Sequence, residues 1–173
     1  MPVTPFHLGP GLLAKAVAGR HVSLMVFAFS QAAMDIEVIV RVIRNDVLLH
    51  GFSHTYLGAT LIALVSVVVG RPICQALLDR WTPDPKAVFA TWLRGAPRIS
   101  WFAAVVGAFA GTYSHVFLDS IMHGDMEPLA PFSGANALQG VVSLVTLHIG
   151  CVLSGVLGVL LAGSAFVRGR PAD

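Results

Sequence analysis

Charge is scarce in this chain, and cysteine is scarcer. Of 173 residues only 12% are Asp, Glu, Lys or Arg, 55% are hydrophobic, and the mean hydropathy is +0.77, well above that of a soluble domain. The shortage of charge argues against a water-soluble globular protein and for an integral membrane protein. The only cysteines, Cys74 and Cys151, lie in or beside apolar runs without Cys-x-x-Cys or zinc-finger spacing, which argues against a disulfide framework. Met1-Pro2-Val3-Thr4-Pro5 lacks a basic region ahead of an apolar core and a small-residue cleavage site, so it does not read as a signal peptide. The first apolar segment is therefore expected to stay in the mature protein. Net charge is +2 and the pI about 8.8, but the basic residues gather in loops beside apolar segments and form no stripe interleaved with aromatics. That is a topology pattern and not a nucleic-acid surface.

What is present is a series of long apolar runs. His7 to about Gly19 is too short to span a bilayer core of roughly 30 Å, and a helix there is expected to begin at Pro10. Val22 to Ile43 is long enough, with Asp35 and Glu37 in its second half. A polar link from Arg44 to Gly51 leads to a span from Ser53 to Val69, ending at Gly70-Arg71-Pro72. Residues 72–98 read as a non-spanning cytoplasmic loop, with two short amphipathic helices around Ala76-Leu77-Leu78 and Val88 to Leu93. Trp81, Trp92 and Trp101 are expected to anchor it at the interface. A third span covers Ile99 to about Met122 and contains Gly107-x-x-x-Gly111, read as close helix packing. Gly124 to Gln139 is a loop with Asp125 and Glu127 and no Lys or Arg, and the last span runs from Gly140 to Val167. The expected fold is all-α: a polytopic membrane helical bundle of about four spanning helices, a short N-terminal half-span helix and interfacial helices, in a single domain, 1–173. Lys15, Arg20, the loop arginines and Lys86, and Arg168 and Arg170 place that side in the cytoplasm. The acidic loop and the 44–51 link are then extracytoplasmic.

Depth can be counted from this topology. Asp35 lies about 15 residues beyond Arg20, roughly 22 Å up, and His54 and His115 about 17 residues from Arg71 and Arg98, roughly 25 Å up. Asp119 lies one turn above His115 on the same helix face, and His50 and His54 form a second i,i+4 pair. His7, on the other arm of an N-terminal hairpin, is expected to face Asp35. Ionisable residues at one level in a membrane mark a functional site. Imidazoles and carboxylates together suit Zn²⁺, or Mn²⁺ or Fe²⁺ in a more oxygen-rich shell, as one ion or two. The expected metal ligands are His7, Asp35, His50, His54, His115 and Asp119. Glu37 and Asp119 are the candidate catalytic carboxylates, Glu37 also being a partner for Arg41 or Arg44. His123, Asp125 and Glu127 read as solvated loop residues, His148 as structural and His21 as interfacial.

Four pieces in order resemble the bacterial inner-membrane family of predicted membrane-bound metal-dependent hydrolases. They are Phe6-His7-Leu8-Gly9, Asp35-Ile36-Glu37, Gly51-Phe52-Ser53-His54-Thr55, and Ser114-His115-Val116-Phe117-Leu118-Asp119 followed by Gly124 and Pro131-Phe132. The chain departs from the family pattern at Met34-Asp35-Ile36-Glu37, where Pro-Asp-x-Asp is usual, and at Leu49-His50, which stands in a His-Arg slot. The resemblance implies a multi-pass protein of the bacterial inner membrane and a metal site more strongly than any particular reaction. The expected function is metal-dependent hydrolysis near the extracytoplasmic face, on a lipid-like ester or phosphoester. Ion, proton or metal transport, or a structural membrane subunit with a metal staple, are the alternatives.

Overall fold

The computed structural model describes residues 5–84 and 86–168; Met1 to Thr4 of the leader reading and Arg170 of the topology argument lie outside them. The described residues are all-helical. A short 3-10 turn, Pro5–His7, leads into α1 (Leu8–Ala18), followed by α2 (Leu24–Ile43), α3 (Tyr56–Val65), α4 (Arg71–Arg80), α5 (Val88–Arg94), α6 (Trp101–Met122) and α7 (Leu144–Val167). Four of the helices open on a hydroxyl cap that accepts a first-turn N–H: Ser23 from Val26, Thr55 from Gly58, Ser100 from Ala103 and Ser143 from Thr146. Such caps satisfy donors that a helix start leaves free.

Among the described residues, three helices are long and apolar enough to cross a membrane: Tyr56–Arg80, Trp101–Met122 and Leu144–Val167. The first corrects the reading that this span ends at Gly70-Arg71-Pro72. α3 passes through a π turn, Ser66–Gly70, into α4, making one 25-residue rod. The wider turn absorbs Pro72, which sits at the start of the next segment where its missing N–H is not needed. Ala76 to Leu78 thus belongs to the rod and not to a surface helix, with Cys74 and Leu78 buried in the bundle. α5 forms as expected, but Trp92 is buried, whereas Trp81 and Trp101 are exposed. α1 starts at Leu8, two residues before Pro10, and α7 at Leu144, four after Gly140. α2 has 20 residues but carries Asp35, Glu37 and Arg41, which sets it apart from the three apolar helices.

α2 and α3 pack on α6, and α1 packs on α7. Glycines set the closeness of these contacts. A Cβ on Gly107 would lie 2.5 Å from the Ser23 carbonyl oxygen, one on Gly111 would strike Ser30 Oγ, and one on Gly9 would strike the Cys151 carbonyl oxygen. The Gly107-x-x-x-Gly111 pair is therefore a packing motif within the chain, joining α6 to α2. One buried cluster, including Val26, Ala63, Val67, Cys74, Ala104 and Ala108, fills the bundle towards its basic end; a second, of Met34, Ala59, Val116 and Met126, lies under the 123–143 loop. Outward, α7 exposes Leu144, Val145, Ile149, Leu153 and Leu160, and contiguous exposed apolar side chains mark a membrane or partner surface.

Candidate metal centre

The packing of α2 and α3 on α6 brings to one level the polar residues of α2, of α6 and of a 3-10 turn, Phe52–His54, that precedes α3. His54 is therefore off the spanning helix, and the expected helical i,i+4 pairing with His50 does not form. Gln31 Nε2 on α2 donates to the carbonyl oxygens of His7 and Gly111, tying the N-terminal turn to the same place. His7, Asp35, His54, His115 and Asp119 are all buried there. His7 Nε2 lies 3.5 Å from Asp119 Oδ1; His54 Nε2 and His115 Nε2 lie 3.6 and 3.1 Å from Asp119 Oδ2; and His115 Nε2 lies 3.4 Å from Asp35 Oδ1. Asp119 is thus the hub, and it, not Asp35, is the carboxylate nearest His7.

Two observations test whether this group fits a metal ion. The Nε2 atoms of His7, His54 and His115 are buried and hydrogen-bonded to nothing, as are Nδ1 of His7 and His115. Buried polar atoms are rarely left so, and here they cluster. The separations are the second observation. Two atoms bound at 2.0–2.1 Å to one tetrahedral ion stand about 3.3 Å apart, in the middle of the observed 3.1–3.6 Å. The sets His7, His115, Asp119; Asp35, His54, His115; and His50, His54, Asp119 each place their ligand atoms within 4.8 Å of one another. All six expected ligands therefore fall in groups that could hold a metal ion, five of them buried and His50 half-buried.

The surroundings fix the imidazole of His54. Ser53 Oγ is within hydrogen-bond distance of Glu37 Oε2, the Met34 carbonyl oxygen and His54 Nδ1. The first two only accept, so the one hydroxyl proton goes to them and His54 Nδ1–H must donate to Ser53. His54 Nε2 is left with its lone pair towards Asp119, the form that ligates metals. Glu37 also accepts from the Ser53 backbone N–H and pairs with Arg41. With both oxygens engaged, Glu37 stands outside the metal-binding groups and orients His54 through Ser53. Ser53→Ala is expected to weaken divalent-metal binding about 10- to 100-fold without loss of helix content, read by metal titration beside circular dichroism. An unchanged affinity would remove the Glu37–Ser53 pair from the site.

The loop residues differ from the sequence reading. Asp125, expected to be solvated, reaches back to accept from the N–H groups of Leu49 and His50 and pairs with His50 Nδ1 at 2.8 Å. Partial burial of Asp125 is outweighed by these bonds from His50 and Leu49, which hold its carboxyl down at about 2. His123 stacks on His50 with ring centroids 4.2 Å apart, and burial lowers its pKa. His50, His123 and Asp125 make a fourth group of metal-ligating type, half-buried at the mouth. Only its distance from residue 50 along the chain hid it. His148 contacts Phe6, and His21, exposed, stacks edge-on against Phe102; neither joins the cluster. A cavity of about 640 Å³, bordered by Arg41, His50, Phe52, Leu57, Asp125 and Pro131, opens beside this mouth. Against this geometry, no family model, no curated protein and no solved structure matches the chain.

Proposed function

We propose that the protein is a membrane-embedded, metal-dependent hydrolase, a reading that also agrees with the family its four sequence motifs resemble. The observation that carries it is the convergence of three unbonded Nε2 atoms on Asp119 and Asp35 at metal-ligand separations. His7, His54, His115 and Asp119 would hold the ion, with His50 at its open side. Zn²⁺ suits this nitrogen-rich set, and Mn²⁺ or Fe²⁺ suits it once further oxygens join. When bound, such an ion polarises a carbonyl or phosphoryl oxygen and acidifies water. Asp119 is enclosed by three ring nitrogens and Glu37 is spent on Ser53 and Arg41. Asp35, whose close contact is to His115 Nε2 with His54 farther off, is the carboxylate assigned to accept the proton of the attacking water.

In this reading α2 is a fourth span, its ionisable residues turned to the site and its rim. The site opens outside the bacterial inner membrane and the basic loops lie in the cytoplasm. The 640 Å³ cavity joins apolar Phe52, Leu57 and Pro131 to polar Asn136 and Gln139, which suits an amphipathic ester or phosphoester drawn from the outer leaflet. What favours hydrolysis over transport is the layer beneath the site. Val26, Ala63, Val67, Ala104 and Ala108 are apolar, and the polar groups among them are hydroxyls, those of Ser30 and Thr112 turned to helix carbonyls and that of Ser66 buried without a partner, none of which ionises.

Purified protein, metal-loaded and presented with a panel of phospholipids and chromogenic acyl and phosphate esters, is expected to hydrolyse at least one and to stop on chelation. Asp35→Asn should keep its metal and lose turnover by roughly 10²- to 10⁴-fold. Full metal loading with no hydrolysis of any ester or phosphoester would leave the structural-staple reading in place of this one.

A further inference from the structure

A second cavity, of about 530 Å³, lies at the other end of the bundle between α1, α2, α5 and α6. It is set roughly 16–21 Å along α2 and α6 from Asp35 and His115 by helical rise. Lys15, Arg20, Arg94 and Arg98 line it, with no Asp or Glu among its lining residues. Four cations around one cavity with no carboxylate repel one another unless an anion joins them.

Lys15 is the most telling of the four. It is 3% exposed, and its ammonium donates to one acceptor, the Gly19 carbonyl oxygen at 3.0 Å. An ammonium has three N–H donors, and none of the ion pairs among the described residues involves Lys15 or the three arginines. A buried charge without a counter-charge is costly. Gly95, at φ +69°, leaves the ammonium its room, since a Cβ there would lie 2.9 Å from Nζ.

The helices add to the same field. α2 and α6, of 20 and 22 residues, both begin at this cavity, with caps Ser23 and Ser100 in its lining. Each cap satisfies one N–H, and other first-turn N–H groups have no partner within their helix. Two helix N-termini directed at one place favour negative charge there.

We propose that this cavity is a binding site for a phosphate-bearing anion, held by Lys15, Arg20, Arg94 and Arg98 between the starts of α2 and α6. The inference is independent of the metal centre. The anion is either a phospholipid headgroup of the adjoining leaflet or a free phosphate, and the test separates the two. Full-length protein in non-ionic detergent is titrated calorimetrically with inorganic phosphate, and protein in phosphatidylcholine nanodiscs is titrated with phosphatidylglycerol.

At least one titration should saturate near one site per chain, and Lys15→Met and Arg98→Gln should each weaken it about 10-fold or more, as expected for lost bonds to a charged group. Saturation with phosphatidylglycerol alone identifies a lipid ligand; saturation with inorganic phosphate identifies the free anion. Arg80→Gln removes an exposed charge at the same end but outside the cavity and should change nothing. Arg98 is also exposed, so its variant carries the test even if Lys15→Met does not fold. Binding of neither probe, or equal losses in Arg80→Gln and Arg98→Gln, would overturn the proposal.

Discussion

Asp119→Asn is expected to lower affinity for divalent metal by at least 100-fold while leaving the helical bundle folded. The carboxylate faces three ring nitrogens at once, His7 through Oδ1 and His54 and His115 through Oδ2. An amide of the same shape keeps the packing but puts an NH₂ where one of those oxygens was, and an NH₂ cannot ligate a cation. Altering a residue that merely orients a ligand costs 10- to 100-fold, and a shared ligand should exceed that. Metal titration of the purified variant, with circular dichroism as the fold control, reads the result. Retained affinity would move Asp119 from ligand to proton acceptor and return Asp35 to the ligand set.

Gly111→Val is expected to have the largest effect on the fold. A Cβ at Gly111 would strike Ser30 Oγ and come within 2.7 Å of the Phe27 carbonyl oxygen, so α6 must move off α2. Overpacking of this kind costs about 1–3 kcal/mol or more. It also separates Asp35 on α2 from His115 on α6, one helical turn above the clash, so metal binding should be lost together with thermal stability. Gly150→Val is the matched control, since nothing lies within 4 Å of its Cβ position, and it should behave as wild type. Equal behaviour of the two variants would mean that close approach of α2 and α6 does not build the site.

Much of this was legible in the sequence, for reasons that differ by residue. The His115–Asp119 pair and the matched depths of Asp35 and His115 follow from helix geometry, whereas His54 reaches the same level from a 3-10 turn ahead of its helix, which a count along the span does not anticipate. Gly107 and Gly111 carry their packing role in their spacing. Pro72 misled because proline after a glycine normally ends a helix, whereas a π turn, invisible in composition, carries the rod through to Arg80. His123 and Asp125 follow the end of α6 in a loop whose return onto Leu49 and His50 has no local signal. Glu37 was readable as an ionisable group and as an Arg41 partner, but its reach to His54 runs through Ser53, a residue with no chemistry of its own to attract notice. Lys15 and Arg98 counted only as topology markers until helix packing placed them around one cavity.

Buried His and Asp side chains from α2, α6 and two 3-10 turns form one metal centre in this reading. Elemental analysis of the detergent-purified protein, wild type beside His115→Ala and His21→Ala, tests it most directly. His115 has its Nε2 within reach of both Asp35 and Asp119, while His21 stacks on Phe102 outside the cluster. One or two equivalents of a divalent transition metal are expected in wild type and in His21→Ala, with loss of metal in His115→Ala. Metal-free wild-type protein that also fails to take up Zn²⁺, Mn²⁺ or Fe²⁺ on titration, or equal metal content in all three, would contradict it.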